Sequence, residues 1–292
     1  MTVWDLLSDS FFQQKKVLEK LLCHYTWLTK EQLITSYDIE LTNEQIENIK
    51  RWYLEYTVEK KPLEYIMGFV EFFGRKFAVD GRCLIPRPET EYMIEAVNEN
   101  INDKMTEWQN DKNILIDVGT GCGVLGLSVL LENPSFFGKA FLTEYFPDTL
   151  SLAQENYAHY KNTLGTGTDI ELFQANLVDF LVARPLTQAD SLILIANLPY
   201  IPNETFDTQA EDNVRKREPR PAFVWGDDGL DYYREMFGQL FTSKPAYTTT
   251  MFLEMMTWQV DILRKEFPHI LFEEIKTFHF NIRIVKGTLK IE

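Results

Sequence analysis

Asn197, Leu198, Pro199 and Tyr200 follow an aliphatic run in the stretch LILIANLPYIP, residues 192–202. Asparagine carries an amide that both donates and accepts hydrogen bonds. Its carbonyl can accept from a substrate –NH2 group, and the backbone carbonyl of Leu198 can accept the second proton. Pro199 stiffens the turn, and Tyr200 can stack on a flat group. Such a pocket suits a planar amide or an aromatic amine, whose nitrogen lone pair is conjugated and poorly nucleophilic. Holding that nitrogen in line with an electrophilic carbon makes much of the catalysis positional. The same four residues also fit a plain strand end with an Asn-initiated turn. The surrounding sequence has to decide between the two.

The stretch DVGTGCGVLGLSV runs from Asp117 to Val129, after the apolar strand NILIDV and before a helix. Gly119, Gly121 and Gly123 let the backbone turn sharply and approach a ligand closely. N–H groups exposed at a helix start favour a carboxylate or phosphate. Thr120 and Cys122 lie within the loop, and Asp117 ends the strand, where a carboxylate could hold an ammonium group. The spacing is G-x-G-x-G, with no third glycine placed as in the dinucleotide fingerprint, so a nucleoside with an amino-acid tail fits better than a pyrophosphate. KAFLTE then ends at Glu144, and an acid at the end of a second strand can accept from ribose hydroxyls. The ligand that these residues point to is S-adenosylmethionine (SAM), with its methionine end at the glycines and its ribose at Glu144.

The elements that must position these groups alternate. From residue 113, NILIDV, KAFLTE, DIELFQAN and SLILIAN read as strands, with GVLGLSVLLE and PDTLSLAQENYAHYKN as helices between them. TTTMFLEM, ILFEEIK and FNIRIVKG are late strands, the last two close enough to pair antiparallel. This alternation predicts an α/β fold, an open and mostly parallel Rossmann-like sheet with helices on both faces. Asn197 would then lie at the end of the fourth strand, beside the first. A helix is expected over 89–108, with Ile94, Val97, Ile101 and Met105 on one face. Residues 68–88 read as a hairpin connector, FVEFFG, then RKFAVDG, then RCLI. Residues 1–67 read as a helical bundle, leaving 89–292 as the larger domain. Thr42 and Gln45 offer a capping box ahead of Ile46, Ile49, Tyr53 and Tyr56. Trp4, Leu7, Val17, Leu21 and Leu22 are expected in the bundle core.

The formal net charge is −15 over 292 residues, which disfavours direct binding to a phosphate backbone. Arg215, Lys216, Arg217 and Arg220 form the densest basic cluster and read as a solvated loop. Cys23, Cys83 and Cys122 are far apart, with no C-x-x-C pair, so neither a disulfide framework nor a zinc site is expected. The four histidines lack metal-ligand spacing. No apolar run approaches the length of a membrane span, and the N-terminus lacks a signal-peptide pattern. A monomeric cytoplasmic protein is expected.

These residues resemble the release-factor glutamine N5-methyltransferases (HemK/PrmC type), over nearly the whole chain. The most specific piece is PLEYIMGFVEFFGRKFAVDGRCLIPRPETE, residues 62–91, whose LIPRPETE is highly distinctive. DVGTGCG at 117–123 matches the family's SAM loop, NLPY at 197–200 stands where the family has NPPY, and REPRPAFVWGDDGLDYYREM at 217–236 and RIVKG at 283–287 also match. The resemblance implies a small N-terminal bundle that recognises the release factor, a hairpin linker and a seven-stranded class I SAM-dependent methyltransferase domain. It implies methyl transfer to the glutamine side chain of the G-G-Q motif of peptide-chain release factors. Asn197 and the Leu198 carbonyl would hold that amide, with Pro199 and Tyr200 shaping the slot. Gly119 to Gly123 and Glu144 would hold SAM, with Asn197 bordering it and Leu177 near the adenine.

Three departures stand out. Leu198 replaces the first proline and adds an N–H that must find a partner. Asn176 stands where an acidic residue is usual. LEMMTWQ, 253–259, lacks the glycine expected after its glutamate. Other readings are a glutamine methyltransferase acting on a ribosomal protein, and an RNA adenine N6-methyltransferase, whose NLPY and conjugated amine are close. A non-enzymatic descendant that binds a translation factor is a fourth.

Overall fold

The computed structural model describes residues 1–104, 113–186, 191–243, 248–277 and 282–289. The chain divides into two compact units, Met1–Phe69 and Val70–Glu292. The first is helical: α1 (Val3–Ser8), α2 (Lys15–Thr26), α3 (Lys30–Ile34), α4 (Asn43–Thr57) and α5 (Leu63–Met67). The capping box at Thr42 and Gln45 is formed, with bonds of 2.9 and 3.2 Å. Leu18, Leu21, Leu22, Ile49 and Phe12 are fully buried in one apolar cluster, and Ile46 and Tyr53 join it. Trp4, expected in that core, is instead 57% exposed. The six-residue α1 buries Val3 and Leu6, which lie on one face at i and i+3, and Trp4 projects from another.

From the last residue of the first unit onward, β1 (Phe69–Phe72) and β2 (Arg75–Ala78) form a two-stranded sheet. RCLI is not a further strand. Asp80 turns the chain, accepting from the Arg82 N–H at 2.9 Å through its side chain and from the Cys83 N–H at 3.2 Å through its carbonyl. An Asx turn of this kind competes with strand pairing. A short 3₁₀ turn at Pro88–Thr90 leads into α6 (Glu91–Lys104), which buries Ile94, Val97 and Ile101. The rest of the predicted helix, 105–108 with Met105, lies outside the described residues.

The main sheet has seven strands: β3 (Asn113–Val118), β4 (Lys139–Glu144), β5 (Asp169–Gln174), β6 (Ser191–Ala196), β7 (Thr248–Met256), β8 (Ile270–Thr277) and β9 (Ile282–Leu289). Their order is β5-β4-β3-β6-β7-β9-β8. The first five are parallel, and β9 runs antiparallel between β7 and β8. β3 and β6 are buried at every position, as expected for central parallel strands covered on both faces. The crossover helices are α7 (Val124–Glu132), after β3, and α8 (Pro147–Leu164), after β4. Short helices α9 (Phe180–Ala183), α10 (Asn203–Gln209) and α11 (Asp212–Arg217) precede α12 (Asp231–Ser243), and α13 (Thr257–Glu266) follows β7. The sheet order reverses around β3, with β4 on one side and β6 on the other. A crevice therefore opens at the carboxyl ends of these strands, where both the glycine loop and Asn197 emerge.

Candidate active site

A cavity of about 400 Å³ lies at this crevice, within the usual range for a small-molecule site. Gly119 to Cys122, Glu144, Asn176, Leu177, Asn197, Leu198 and Pro199 all line it. Residues drawn from four strand ends are thus brought together. Three sequence candidates are not in the wall: Asp117, Gly123 and Tyr200.

Asp117 is buried at the end of β3. Its Oδ2 accepts from the Thr120 hydroxyl at 2.5 Å and from the Gly126 N–H at 2.8 Å. That oxygen ties the glycine loop to the first turn of α7 instead of facing the cavity. Gly126 is the residue that the G-x-G-x-G reading passed over. A Cβ on it would lie 2.7 Å from Asp117 Oδ2 and 2.9 Å from Leu142 Cγ. Only glycine lets α7 lie this close to the sheet, the role of the last glycine in a G-x-G-x-x-G loop. Gly121, Gly123 and Gly126 do have that spacing. Gly119, Gly121 and Gly123 all have φ between 60° and 89°, the left-handed region that favours glycine. Asn156 on α8 donates to the Cys122 carbonyl at 2.8 Å and exchanges hydrogen bonds with Ala78, so it fixes the loop to the hairpin. Nothing in the local sequence around Asn156 marks this.

Burial pushes the Asp117 carboxyl up to about 6 from an ordinary 3.8, against the pull of its two donors. Folding stability from this group is fully present below pH 3.8 and lost as pH rises through 6, because the native state holds the proton longer. The loss is on the order of 3 kcal/mol at most. Asp117→Asn keeps an accepting oxygen and does not titrate. Urea unfolding of both proteins between pH 4 and 7 should show wild type losing ground to the variant as pH rises. A pH-independent difference would rule out the raised carboxyl.

Glu144, at the end of β4, is nearly buried, and burial raises its carboxyl. Oε1 accepts from the Tyr145 and Phe146 N–H groups at 2.9 and 3.0 Å, and Oε2 from Gly121 at 3.1 Å. A carboxylate offers about four accepting positions, so Oε2 keeps capacity for a ligand hydroxyl. One strand further out, Asn176 donates from Nδ2 to Glu235 at 2.6 Å. Its carbonyl oxygen is the half of the amide left for the cavity. Leu177, beside it, has φ 57° and is buried.

At the other end of the cavity, the Asn197 Nδ2 donates to Thr90 Oγ1 at 3.1 Å, and the amide lies near the Glu254 carboxylate. Thr90 donates to Glu254 Oε2 at 2.8 Å, and the Tyr200 hydroxyl donates to Oε1 at 2.9 Å. Glu254 is buried on β7, and desolvation raises its carboxyl against these donors. The added N–H of Leu198 lies near the Tyr233 hydroxyl, which itself donates to the Glu254 backbone carbonyl at 2.6 Å. The Leu198 side chain sits in the core, and a Cβ on Gly119 would come within 3.0 Å of its Cδ2. Tyr200 is likewise drawn into the core cluster. The stacking role read for it does not fit this placement, and its ring and hydroxyl instead brace the turn. Gln259 on α13 donates to the Tyr200 and Asp228 carbonyls at 2.7 and 2.8 Å.

The facing wall joins two quoted segments. Glu218 accepts from Arg87 at 2.7 Å and from the Ile85 N–H at 3.0 Å. Arg82, also in the wall, pairs with Asp80 and Glu155. Among the described residues, both arginines of the wall are thus paired with carboxylates. In the basic cluster, Arg215 and Lys216 pair with Asp212, and Arg220 with Asp207.

Comparison with solved structures finds the catalytic domain of hMettl16 in complex with the MAT2A 3'UTR hairpin 6. It aligns with a TM-score of 0.50 at 14% identity, over 84% of this chain and 81% of that one. The likeness is one of fold, the Rossmann-like class I methyltransferase fold. No protein-family model matches the chain. Among curated proteins, the release factor glutamine methyltransferase of Bacillus cereus is 29% identical over 246 residues, 82% of this chain and 81% of that protein. That of Bacillus subtilis is 30% identical over 222 residues, covering 76% and 72%. That of Chlorobaculum tepidum is 31% identical over 234 residues, covering 78% and 76%. With a seven-stranded sheet, a glycine loop and an Asn-Leu-Pro-Tyr turn on one cavity, and relatives of this identity across most of both lengths, the chain belongs to the release factor glutamine methyltransferase family.

Proposed function

We propose that this enzyme transfers a methyl group from SAM to the side-chain amide nitrogen of the glutamine in the G-G-Q motif of a peptide-chain release factor. The observation that carries the reading is that the glycine loop and Asn197 line one cavity. Its residues fit SAM. At Gly121, in the cavity wall, a Cβ would stand in open space with nothing within 4 Å, and Glu144 keeps accepting capacity for a ribose hydroxyl. In sheet order, the strand beyond Glu144 carries Asn176 and Leu177, so the base lies there. The Asn176 carbonyl then accepts from the adenine amino group as a carboxylate would, which accommodates the departure from an acidic residue.

Bound SAM supplies an electrophilic methyl group on a sulfonium. The chain's own residues supply position. Asn197 Oδ1 accepts one amide N–H and the Leu198 carbonyl the other, which holds the nitrogen in line and draws proton density from it. Pro199 closes that side of the slot. The segments 81–90 and 217–223, locked by Glu218, close the facing side and limit water. The first unit recognises the release factor. Its exposed Trp4, Phe11 and Trp27 suit a protein surface, since exposed aromatics favour interfaces.

The test is methyl transfer from labelled SAM to a purified release factor and to its G-G-A variant. Label on the first alone is the expected result. Equal label on both would sink the glutamine assignment, and label on neither would turn attention to ribosomal proteins.

A further inference from the structure

Glu254 is a buried carboxylate to which the positional mechanism above gives no part. It sits on β7, 3% exposed, next to the strand that delivers Asn197. Two hydroxyls donate to it, those of Thr90 and Tyr200, and the Asn197 amide lies near it. Burying a carboxylate is expensive unless each oxygen is hydrogen-bonded, and here both are. An ionised carboxylate only accepts. That one-way chemistry fixes the direction of every bond around it.

The direction matters because an asparagine amide is nearly symmetrical in shape. Turned by 180° about its last torsion, it would present NH2 where the substrate needs an acceptor. A donor facing the substrate –NH2 would repel it. The Thr90 hydroxyl spends its proton on Glu254, so toward Asn197 it can only accept. Glu254 itself can only accept. Both therefore require the Nδ2 half of the Asn197 amide, leaving Oδ1 for the cavity. We infer that Glu254, acting directly and through Thr90, is a positioning residue that sets the polarity of the Asn197 amide and so makes the slot selective for an N–H-bearing acceptor. Tyr200 is aligned by the same carboxylate, which couples both ends of the Asn-Leu-Pro-Tyr turn to one group. The inference rests on Asn197 being the acceptor for the substrate amide.

Glu254→Gln and Thr90→Val test it, with Thr90→Ser as the conservative partner and Asn197→Ala as the reference. Glutamine offers one accepting oxygen where Thr90 and Tyr200 donate to two, so one of them must turn away. Valine keeps the shape of Thr90 and removes its oxygen. Both variants should lose at least roughly tenfold in kcat, the scale of a misplaced reacting group. KM for the release factor and the dissociation constant of S-adenosylhomocysteine should stay within about twofold, because a positioning defect spares ground-state binding. Thr90→Ser should keep wild-type kcat. If Glu254→Gln does not fold, Thr90→Val with its serine partner decides alone. Full kcat in Thr90→Val beside an inactive Asn197→Ala would overturn the role given to Glu254. An active Asn197→Ala would overturn the reading of the slot instead. A uniform loss of kcat, acceptor binding and homocysteine-nucleoside binding would also overturn the inference, since it reports collapse of the site.

Discussion

Asn197→Ala is expected to lower methyl transfer by about 10²–10³-fold, the scale on which a single preorganised hydrogen-bond partner acts at a reacting group. S-adenosylhomocysteine should bind with nearly unchanged affinity. The physical reason is the division of labour along the cavity. The part of the wall proposed to hold the cofactor comes from the ends of β3, β4 and β5, whereas Asn197, proposed to meet the acceptor nitrogen, comes from the end of β6. The fold should tolerate the change. Asn197 is only half-buried, and Thr90 and Tyr200 still satisfy Glu254 after truncation, so the loss is about one hydrogen bond, roughly 1 kcal/mol. Isothermal titration with S-adenosylhomocysteine and initial rates with a release factor separate the two effects. Parallel loss of affinity and rate would place Asn197 on the cofactor side of the cavity.

What the sequence made legible follows from range. β3, β4 and β6 are buried parallel strands, and their apolar runs announce them without help from distant residues. The glycine loop and Glu144 are legible because a turn after a strand is a local event. Glu254 was quoted in LEMMTWQ only for a missing glycine. Its meaning depends on Thr90, 164 residues away, and on a β6–β7 pairing that no local pattern specifies. Asn156 and Gln259 escaped for the same reason: each is a lone amide on a helix whose partner carbonyls come from other segments. RCLI failed differently. Its β-branched and apolar content suits a strand, but the Asp80 turn takes its backbone donors. Gly126 needed no structure, only a count that began at Gly121 rather than Gly119.

Gly229→Ala should be among the most damaging single-methyl changes in the second unit. Gly229 lies in GDDGL with φ 72°. A Cβ there would run into the Tyr200 carbonyl group, 2.6 Å from its carbon, and come within 2.9 Å of Gln259 Nε2. The obstacle is backbone, so no flexible side chain can yield. Left-handed strain on a non-glycine residue costs roughly 1–3 kcal/mol, and overpacking typically adds about 1–3 kcal/mol. Gly74→Ala is the natural control, because Gly74 has nearly the same φ, 70°, with nothing within 4 Å of an added Cβ. It carries the backbone strain without the collision. Urea midpoints of the two variants therefore isolate the contact, and Gly229→Ala should be lower by the packing share. Its effect should also reach the chemistry. Moving the Tyr200 carbonyl breaks the Gln259 bond and shifts the turn that holds Asn197, so the folded fraction of Gly229→Ala should turn over more slowly than Gly74→Ala. Equal midpoints and equal rates for the two alanines would mean that the GDDGL loop moves freely away from the Asn-Leu-Pro-Tyr turn, and that the slot is not braced from that side.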